Sequence, residues 1–379
     1  MGRERSLPFN IYYLLFLQGK GMEIKEYGEF GLIKHLTEKF PLKNKSSLYG
    51  VGDDCAVIDV DPSEGKTVVT TDLLLEGVHF DLTYCPMRHL GYKACVVNFS
   101  DVYAMMGTPR QITVSLGISK RFKVEDLDEL YAGMKLACDI YGVDLVGGDT
   151  SASMTGLTIS ITCIGVANDP VYRNGAKVND LICVSGDLGA AYVGLQLLER
   201  EKAVYYQEYN DWKRNGAQGT MPVFKPKFEG KEYLLERQLK PEARKDIVAK
   251  LKEAGIRPTS MMDISDGLSS ELLHICHQSK VGCRIYEERI PIDYQTAVQA
   301  EEFNLNVSTC ALNGGEDYEL LFTVPLAQSE LIQQISGIRL IGHITDERLG
   351  AAMITRDGNS EITLQAQGWN AFASSESKK

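Results

Sequence analysis

The stretch "VGDDCAVIDV", residues 51–60, sets two adjacent carboxylates, Asp53 and Asp54, directly before an apolar run typical of a buried strand. Like charges side by side cost free energy unless a cation lies near them. Gly followed by Asp is also ordinary turn chemistry, so a solvated turn explains this stretch equally well. The rest of the chain has to decide between a turn and a cation-binding site.

Strand and helix patterns alternate along the chain. They predict strands at 67–72, 112–119, 143–150 and 157–167, a buried helix at 89–107 and an amphipathic helix at 124–142. A second unit of strand, Gly-rich turn and helix follows over 175–198. This alternation predicts an α/β (α+β) protein, and the length of 379 residues favours two domains.

The domain limits follow from where these patterns begin and end. Residues 1–21 are expected to be an extension outside the fold, because their apolar run is too short to span a bilayer and no small-residue cleavage pattern follows it. We expect a first domain over 22–168, a second over 169–373 and a disordered tail over 374–379. Residues 200–235 are aromatic, charged and aperiodic, which predicts an insertion that forms a lid, a dimer contact or a surface excursion.

Composition and charge exclude several classes of partner. A net charge of −11 makes the chain a poor non-specific binder of nucleic acid, because such binding begins with neutralisation of phosphates. The nine cysteines form no CxxC pair, which favours reduced thiols in a cytoplasmic protein without a membrane partner. His274 and His277 lie three apart on a predicted helix, where a solvated helix face explains them better than a metal site without a third ligand.

Aspartates recur where predicted strands end and helices begin. Besides Asp53 and Asp54, this group comprises Asp72, Asp101, Asp149, Asp263 and Asp266. Each of them alone is explained as a cap or a turn residue. Asp101 is the exception, because it lies inside an apolar helix and shares one face with Asn98. An unpaired buried carboxylate is costly, so Asp101 should have a cationic partner.

A divalent cation accounts for many aspartates with few basic neighbours. Mg²⁺ takes oxygen ligands and is commonly shared between carboxylates and substrate phosphates. The hydroxyls of Thr70 and Thr71, next to Asp72, suit the same coordination shell. The Gly-rich turns at 147–148 and 186–189 would let backbone N–H groups approach phosphate oxygens. As a set, these features indicate phosphoryl transfer or nucleotide binding with several Mg²⁺ ions.

Six motifs together resemble one known family. In order, they are "GVGDDCAVI", "TTDLLLEGVHF", "NFSDVYAMMG", "LVGGDT", "DISDGLSSELLHI" and "GGEDYELLFTVP". Over residues 22–373 they resemble the thiamine-monophosphate kinase family of the aminoimidazole ribonucleotide synthetase superfamily. The resemblance implies a two-domain fold with an N-terminal mixed sheet and helices followed by a C-terminal α/β domain. It also implies a homodimer whose N-terminal domains pair through their sheets.

The resemblance implies an activity and residues that perform it. The activity is ATP-dependent phosphorylation of thiamine phosphate to thiamine diphosphate, the final step of thiamine diphosphate biosynthesis. The residues that match the family's Mg²⁺ ligands are Asp53, Thr70, Thr71, Asp72, Asp101, Asp149, Asp263 and Asp266. Those that match its ATP contacts are Tyr131, Gly148, Asp149, Arg173 and Ser265. Those that match its substrate contacts are His79, Glu316 and Trp369, although a turn histidine and plain packing also explain His79 and Trp369.

We expect direct in-line transfer without a protein nucleophile or general base. The acceptor is a phosphate monoester, which is already ionised near neutral pH and needs no base to activate it. Several Mg²⁺ ions would reduce the repulsion between the two polyanions, and Arg173 would add positive charge at the phosphates. Asp53 and Asp54 then tolerate adjacency because a metal neutralises at least one of them, while Asp54 either joins that site or points away and caps the turn.

The alternatives are other enzymes of the same superfamily and a non-catalytic sensor on its fold, and the sequence lacks the features that each of them would show. Selenophosphate synthetase would carry a reactive Cys or selenocysteine in a Gly-rich segment beside Lys, and the hydrogenase-maturation relative a terminal functional Cys in place of "ESKK". Aminoimidazole ribonucleotide synthetase lacks the combination of "GVHF" and "GGEDYELLF". A non-catalytic nucleotide or metal sensor on the same fold would be expected to lose some of the acidic ligands. An assay for phosphoryl transfer distinguishes the enzyme from the sensor.

Overall fold

Two sheets and the helices beside them make up the part of the chain that the structure describes. The structure is a computed structural model, and it describes residues 47–49, 52–54, 56–61, 65–217 and 226–367. All of these residues belong to one unit that spans Leu42–Trp369. The predictions for residues 1–21, for the tail 374–379 and for Trp369 lie outside the described residues.

The first sheet has six strands in the order β1-β2-β3-β6-β4-β5. Only β4 and β5 pair in parallel, and the other neighbours are antiparallel. The strands are β1 Ser47–Tyr49, β2 Ala56–Asp61, β3 Gly65–Leu75, β4 Thr108–Ile118, β5 Asp144–Ala152 and β6 Thr158–Ala167. Buried and half-buried residues alternate along β6, as expected for a sheet with one face on the core. The four strands predicted in this region are confirmed.

Two helices belong to the first sheet, α1 Met87–Ala104 and α2 Val124–Tyr141. Both were predicted from the sequence and are confirmed. In α1 every residue from Leu90 to Ala104 is buried except Asp101, which is half-buried. Asp101 lies in the last turn of α1, where the partial negative charge of the helix terminus disfavours a carboxylate. Its position therefore adds to the need for a cation.

The second sheet has seven strands in the order β13-β12-β9-β11-β7-β10-β8. These strands are β7 Leu181–Ser185, β8 Ser260–Asp263, β9 Val281–Tyr286, β10 Leu320–Val324, β11 Ile338–Asp346, β12 Ala351–Ile354 and β13 Glu361–Thr363. The helices in this part are α3 Ala190–Arg214, α4 Glu232–Leu239, α5 Lys245–Glu253, α6 Leu268–Ser279, α7 Tyr294–Glu302, α8 Val307–Asn313 and α9 Ser329–Gln334. Three 3₁₀ turns cover Glu287–Arg289, Leu326–Gln328 and Glu347–Leu349. Helix α1 packs against β8, which brings the two sheets together at Asp263.

The region predicted as an aperiodic insertion begins as a helix. Helix α3 continues without a break to Arg214, and α4 starts at Glu232. The second half of α3 lacks an apolar period because little of it faces the core. It is instead lined by rings three or four residues apart, with Tyr205 and Tyr209 6.2 Å apart and Tyr209 and Trp212 5.8 Å apart between ring centroids. No helix among the described residues is both long and apolar enough to cross a membrane.

Candidate active site

Three carboxylates from distant parts of the chain converge where the two sheets meet. Asp54 precedes β2, Asp101 lies in α1 and Asp263 ends β8, and each offers an oxygen within 4.8 Å of the other two. We call these three, together with Asp53 and Asp72, the acidic centre. The side chains of Asp54 and Asp263 are buried, so their charges are largely removed from water.

Hydroxyl groups hold two of these carboxylates in place. The Thr70 hydroxyl on β3 donates to Asp101 Oδ2 at 2.5 Å, and the Ser100 hydroxyl on α1 donates to Asp263 Oδ2 at 2.5 Å. Asp54 Oδ2 is buried and has no hydrogen-bond partner in the described part of the chain. A buried carboxylate oxygen without a partner is costly, which indicates that something absent from the protein chain completes this site.

Arg173 is the cation that lies beside the adjacent aspartates. Its guanidinium forms an ion pair with Asp54 and lies 3.6 Å from Asp53 Oδ1, while its backbone N–H donates to Asp53 Oδ2 at 2.8 Å. The backbone N–H of Asp54 also donates to Asp53 Oδ1 at 2.9 Å. Asp53 is therefore occupied with local backbone groups, and Asp54 is the member of the pair that faces Asp101 and Asp263.

The pKa values of four carboxyl groups in the acidic centre are raised, because the groups are buried and most of them lie near other carboxylates. Burial and the neighbouring Asp54 raise the pKa of Asp53 to about 7, and the same two causes raise the pKa of Asp263 to about 8. Burial raises the pKa of Asp72 to about 6. Burial and the charges of Asp72, Asp263 and Asp54 hold the pKa of Asp101 well above its usual range. A divalent cation would relieve this repulsion and restore the ionised carboxylates.

The donor set fits a hard divalent cation. All groups in the acidic centre are carboxylates, the Thr70 hydroxyl adds a further oxygen, and no thiol or imidazole belongs to the three-carboxylate group. Oxygen ligands of this kind suit Mg²⁺, which binds one or two carboxylates and keeps several waters or phosphate oxygens. The unpartnered oxygen of Asp54 gives such an ion a place to bind.

Thr70 and Thr71 lie on opposite faces of β3. Thr70 faces Asp101, whereas the Thr71 hydroxyl donates to the carbonyl of Ile161 at 3.1 Å and accepts from the Thr162 hydroxyl at 3.1 Å. Successive side chains of a strand point to opposite faces, so both hydroxyls cannot join the same coordination shell. The structure therefore brings Thr70, but not the Thr71 hydroxyl, to the acidic centre.

The residues predicted to contact ATP are divided between two places. Gly148 and Asp149 lie on the exposed edge strand β5, level with Asp72 but three strands away, about 14 Å at the usual strand spacing. Tyr131 is 40% exposed on α2. A Cβ at position 148 would lie 1.9 Å from the Val114 carbonyl oxygen, so only glycine allows this approach of β4 and β5. Arg173 lies at the acidic centre.

The "DISDG" segment turns from β8 into α6 beside the acidic centre. Ser265 is exposed and Asp266 is half-buried, directly after the buried Asp263. The backbone N–H of Asp266 donates to Oε1 of the buried Glu271 at 2.9 Å, which orders the turn. Ser265 and Asp266 are therefore close in sequence to the acidic centre, and their assigned roles stay predictions.

Two of the residues predicted to contact the substrate lie in loops, one after β3 and one after α8. Glu316 follows α8, and His79 lies in the loop after β3, where its Nδ1 accepts from the backbone N–H of Leu75 at 3.0 Å. The charge of Glu316 acts on the His79 imidazole, whose pKa is lowered chiefly by burial. Trp369 is outside the described residues, but Gln367 donates its backbone N–H to the Asn313 side chain at 3.0 Å, close in sequence to Glu316.

Sequence reasoning missed three residues that support this site. Ser100 holds Asp263, and Lys93 and Gln238 both contact the carboxylate of Glu316, at 2.8 Å and 2.7 Å. Lys93 carries the one signal that was available beforehand, a single Lys inside the apolar run "GYKACVV". Nothing in the local pattern around Gln238 distinguishes it from a surface helix residue.

Similar proteins were found by sequence and by structure. Residues 52–167 match the family model of the AIR synthase related protein, N-terminal domain. The chain is 36% identical over 304 residues to the thiamine-monophosphate kinase of Aquifex aeolicus (strain VF5), covering 80% of this chain and 88% of that protein. It is 31% identical over 351 residues to the thiamine-monophosphate kinase of Bacillus subtilis (strain 168), covering 91% of this chain and 99% of that protein.

The chain belongs to the thiamine-monophosphate kinase family. A solved structure described as AaThiL complexed with AMPPCP and TMP has a TM-score of 0.75 and 32% sequence identity, and covers 93% of this chain and 100% of that one. The resemblance predicted from the six motifs is therefore confirmed, and so are the α/β fold of the aminoimidazole ribonucleotide synthetase type and the assignment of the chain as a kinase.

Proposed function

We propose that this chain phosphorylates thiamine phosphate with ATP and yields thiamine diphosphate and ADP. The observation that carries the proposal is the convergence of Asp54, Asp101 and Asp263 in a member of this kinase family, with one buried oxygen that has no partner among the described residues. The relative bound to AMPPCP and TMP supports the pairing of a nucleotide with a phosphorylated acceptor. We propose direct in-line transfer, in which the acceptor phosphate itself is the nucleophile and no protein side chain is needed for that role.

In this proposal the acceptor phosphate attacks the γ-phosphorus of ATP directly. A P–O bond forms to an oxygen of the thiamine phosphate, and the P–O bond to the β-phosphate breaks, with the electron pair leaving on ADP. The acceptor oxygen is already ionised near neutral pH, so no group in the chain has to remove a proton. The work of the protein is to bind two polyanions close together and in line.

The acidic centre is the proposed place for several Mg²⁺ ions. Asp53, Asp72, Asp101 and Asp263 would hold them together with Thr70, and Asp54 joins this set because it faces Asp101 and Asp263. Asp149, Asp266 and Thr71 complete the ligands proposed from the family resemblance, although the Thr71 hydroxyl contacts Ile161 and Thr162 on the other face of β3. When bound, the ions neutralise charge on the β- and γ-phosphates and on the acceptor. Arg173, fixed by Asp53 and Asp54, adds a positive charge at the same place.

The two organic groups are proposed to bind at opposite sides of the acidic centre. Tyr131, Gly148, Asp149, Arg173 and Ser265 are the proposed ATP contacts. Two of them, Gly148 and Asp149, lie on the exposed strand β5. His79, Glu316 and Trp369 are the proposed contacts to the thiamine part.

A homodimer is proposed on the exposed edge of the first sheet. All nine residues of β5 are exposed, and Leu145 and Val146 are 46% and 59% exposed. An open edge strand with apolar side chains is a place where another strand or sheet pairs. Pairing through the first sheets would place Gly148 and Asp149 at the interface, which accounts for their distance from the acidic centre within one chain.

Sedimentation velocity tests the proposed dimer, because Val146→Lys is expected to shift the protein from dimer to monomer.

Two further proposals concern organisation and location. We retain 22–168 and 169–373 as the two domains, since the two sheets form on either side of residue 168. A cytoplasmic location is proposed from the free, buried cysteines among the described residues. The net charge of −11 disfavours nucleic acid as a partner.

An end-point assay with purified protein, Mg²⁺ and ATP tests the activity. Thiamine phosphate and thiamine are offered separately as acceptors, and the products are separated by chromatography. We expect thiamine diphosphate from thiamine phosphate alone, and loss of product when EDTA removes the metal. If folded protein makes no thiamine diphosphate from thiamine phosphate, the assignment of the substrate is wrong.

A further inference from the structure

The carboxylate of Glu316 is held from both sides by residues of other elements. Lys93 Nζ on α1 lies 2.8 Å from Glu316 Oε1, and Gln238 Nε2 on α4 donates to Glu316 Oε2 at 2.7 Å. Lys93 Nζ also donates to the backbone carbonyl of Gln238 at 3.0 Å. These three residues form a closed triangle of contacts, which we call the Glu316 clamp.

The clamp is buried on one side and open on the other. The side chain of Lys93 is 7% exposed and that of Glu316 is 30% exposed, while Gln238 as a whole is 5% exposed. An ionised carboxylate has about four lone-pair sites, and the clamp uses two of them. Glu316 therefore keeps acceptor capacity on its open side, in an orientation that its two partners determine.

The backbone at Glu316 is strained in a way that needs such support. Its φ is +59°, in the left-handed region that non-glycine residues rarely adopt. Its backbone N–H donates to the Ser265 carbonyl at 2.7 Å, and the preceding Gly315 has no room for a Cβ, which would lie 2.6 Å from the same oxygen. Strain of this kind persists where the surroundings over-determine a conformation, and it is frequent at ligand sites.

Helix α1 connects the clamp to the acidic centre. Lys93 and Asp101 are eight residues apart on α1, which separates them by about 12 Å along the axis and by about 80° around it. The rigid helix therefore sets one distance between a metal-binding end and a Glu316 end. A molecule with a phosphate at one end and a cationic ring system at the other would have to span this separation to reach both ends.

We propose that Lys93 and Gln238 are positioning residues that orient Glu316 toward the organic part of the acceptor. Helix α1 then fixes the distance between the groups that bind the acceptor's phosphate and the groups that bind its ring system. This inference rests on the proposed function, because the acceptor is taken to be thiamine phosphate. The oriented carboxylate accepts hydrogen bonds from the aminopyrimidine and attracts the thiazolium cation. The charge of Lys93 balances that of Glu316, so the pair does not repel the phosphate of the same molecule.

Separate binding and kinetic measurements on Lys93→Met test the clamp. Methionine keeps the length of the side chain and removes its charge. We expect the KM for thiamine phosphate to rise about tenfold or more, because the Glu316 carboxylate loses its charged partner. The KM for ATP should stay within about twofold of the wild-type value, since none of the proposed ATP contacts belongs to the Glu316 clamp. Lys93→Arg, which keeps the charge, should restore part of the loss.

Two further variants separate positioning from general stability. Gln238→Met removes one hydrogen bond to Glu316 but leaves Lys93 in place, so a rise of about threefold in the same KM is expected. Arg244→Met removes a comparably buried cation from Glu319, and it should lower the melting temperature without changing the ratio of the two KM values. In a double-mutant cycle, Lys93→Met should have little further effect on KM once Glu316 is changed to Gln.

Calorimetry on the wild-type protein distinguishes the two ways of failing. If the wild type binds ATP but not thiamine phosphate, the proposed function fails, and the clamp as an acceptor device fails with it. If the wild type binds thiamine phosphate and folded Lys93→Met binds it equally well, only the clamp is wrong. Equal increases in both KM values for Lys93→Met would also overturn the clamp, because they would show a general distortion of the site.

Discussion

Two clusters of buried charge in this molecule differ in how their carboxylates are balanced. In the acidic centre, Asp54, Asp101 and Asp263 approach within 4.8 Å, and Arg173 is the cation that pairs with Asp54 there. Elsewhere, the carboxylate of Glu319 is surrounded by two guanidinium groups and a hydroxyl, and each guanidinium also pairs with a second carboxylate, that of Asp317 at 3.8 Å or that of Asp246. We call this second group the Glu319 cluster, and its other members are Arg237, Arg244 and Ser185.

This difference separates buried carboxylates that can bind a ligand from those whose oxygens the protein already occupies. Both oxygens of Glu319 are occupied, Oε1 by Arg237 at 2.9 Å and Oε2 by Arg244 and the Ser185 hydroxyl. In the acidic centre, Asp54 Oδ2 has no described partner. Removing one partner from a balanced cluster destabilises the fold, whereas an unbalanced cluster contains repulsion that a cation can relieve. The two clusters should therefore respond in opposite ways to mutation and to metal.

The largest expected effect is loss of turnover in Asp101→Asn. Removing this charge from the acidic centre should lower kcat at least about 10³-fold, because the substrate phosphates lose a metal ligand. The protein should remain folded, and in EDTA it should be at least as stable as the wild type, since a repulsion has been removed. Initial-rate kinetics and thermal melts measure both. Unfolding of Asp101→Asn would show instead that Asp101 is structural.

Glu319→Gln should lower the stability of the protein and leave its kinetics nearly unchanged, the opposite of Asp101→Asn. Replacing Glu319 removes the carboxylate that Arg237 and Arg244 share, while Arg244 keeps Asp246 and Arg237 keeps Asp317, so the loss should be about 2 kcal/mol in the free energy of unfolding. The KM values measured on the remaining folded protein should stay close to those of the wild type. Urea unfolding followed by circular dichroism measures the loss. A stable Glu319→Gln protein without activity would remove the distinction between the two clusters.

Without metal, stability should fall as the pH rises from 6.5 to 8.5. The pKa of Asp263 is raised to about 8 in the folded protein, so between its usual value and pH 8 the folded state binds more protons than the unfolded state. The free energy of unfolding therefore decreases as pH rises, by roughly 2 kcal/mol over this window for one such group. Melts in EDTA check the slope.

Mg²⁺ at pH 8.5 should reverse this loss, because it favours the ionised carboxylates. Asp263→Asn should flatten the slope in EDTA, whereas Glu319→Gln should leave it as it is in the wild type. A slope that is unchanged in Asp263→Asn would mean that the acidic centre is not its source.

The smallest expected effect is a difference in Mg²⁺ activation between variants of two neighbouring threonines. Thr70→Ala removes the hydroxyl that holds Asp101 and should weaken Mg²⁺ activation about tenfold. Thr71→Ala removes a hydroxyl that faces Thr162 on the other side of the sheet, and it should change Mg²⁺ activation less than about twofold. Titration of activity with Mg²⁺ measures both variants. Equal losses would place both hydroxyls in the metal's coordination shell.

Much of the fold was predictable because it depends on local patterns. The helices α1 and α2 and the four strands β3 to β6 follow from the spacing of apolar residues, and they were predicted close to their observed limits. The second half of α3 was not, because its stability comes from contacts along the helix and not from an apolar face. The opposite orientation of Thr70 and Thr71 was predictable in principle, since it follows from the two-residue period of a strand.

The site was predictable as a set of residue types and much less as a set of contacts. The family, the α/β class and the aspartates at element ends are visible in the sequence, because they are properties of order and spacing along the chain. The pairing of Arg173 with the two aspartates of "DDCAVIDV" and the contacts of Lys93 and Gln238 with Glu316 arise only on folding. Asp54 and Arg173 are 119 residues apart, and Lys93 and Glu316 lie on elements that meet only when the two sheets pack. Charges that are far apart in sequence interact only when packing brings them close in space, because the Coulomb energy depends on distance. No local sequence pattern predicts that distance.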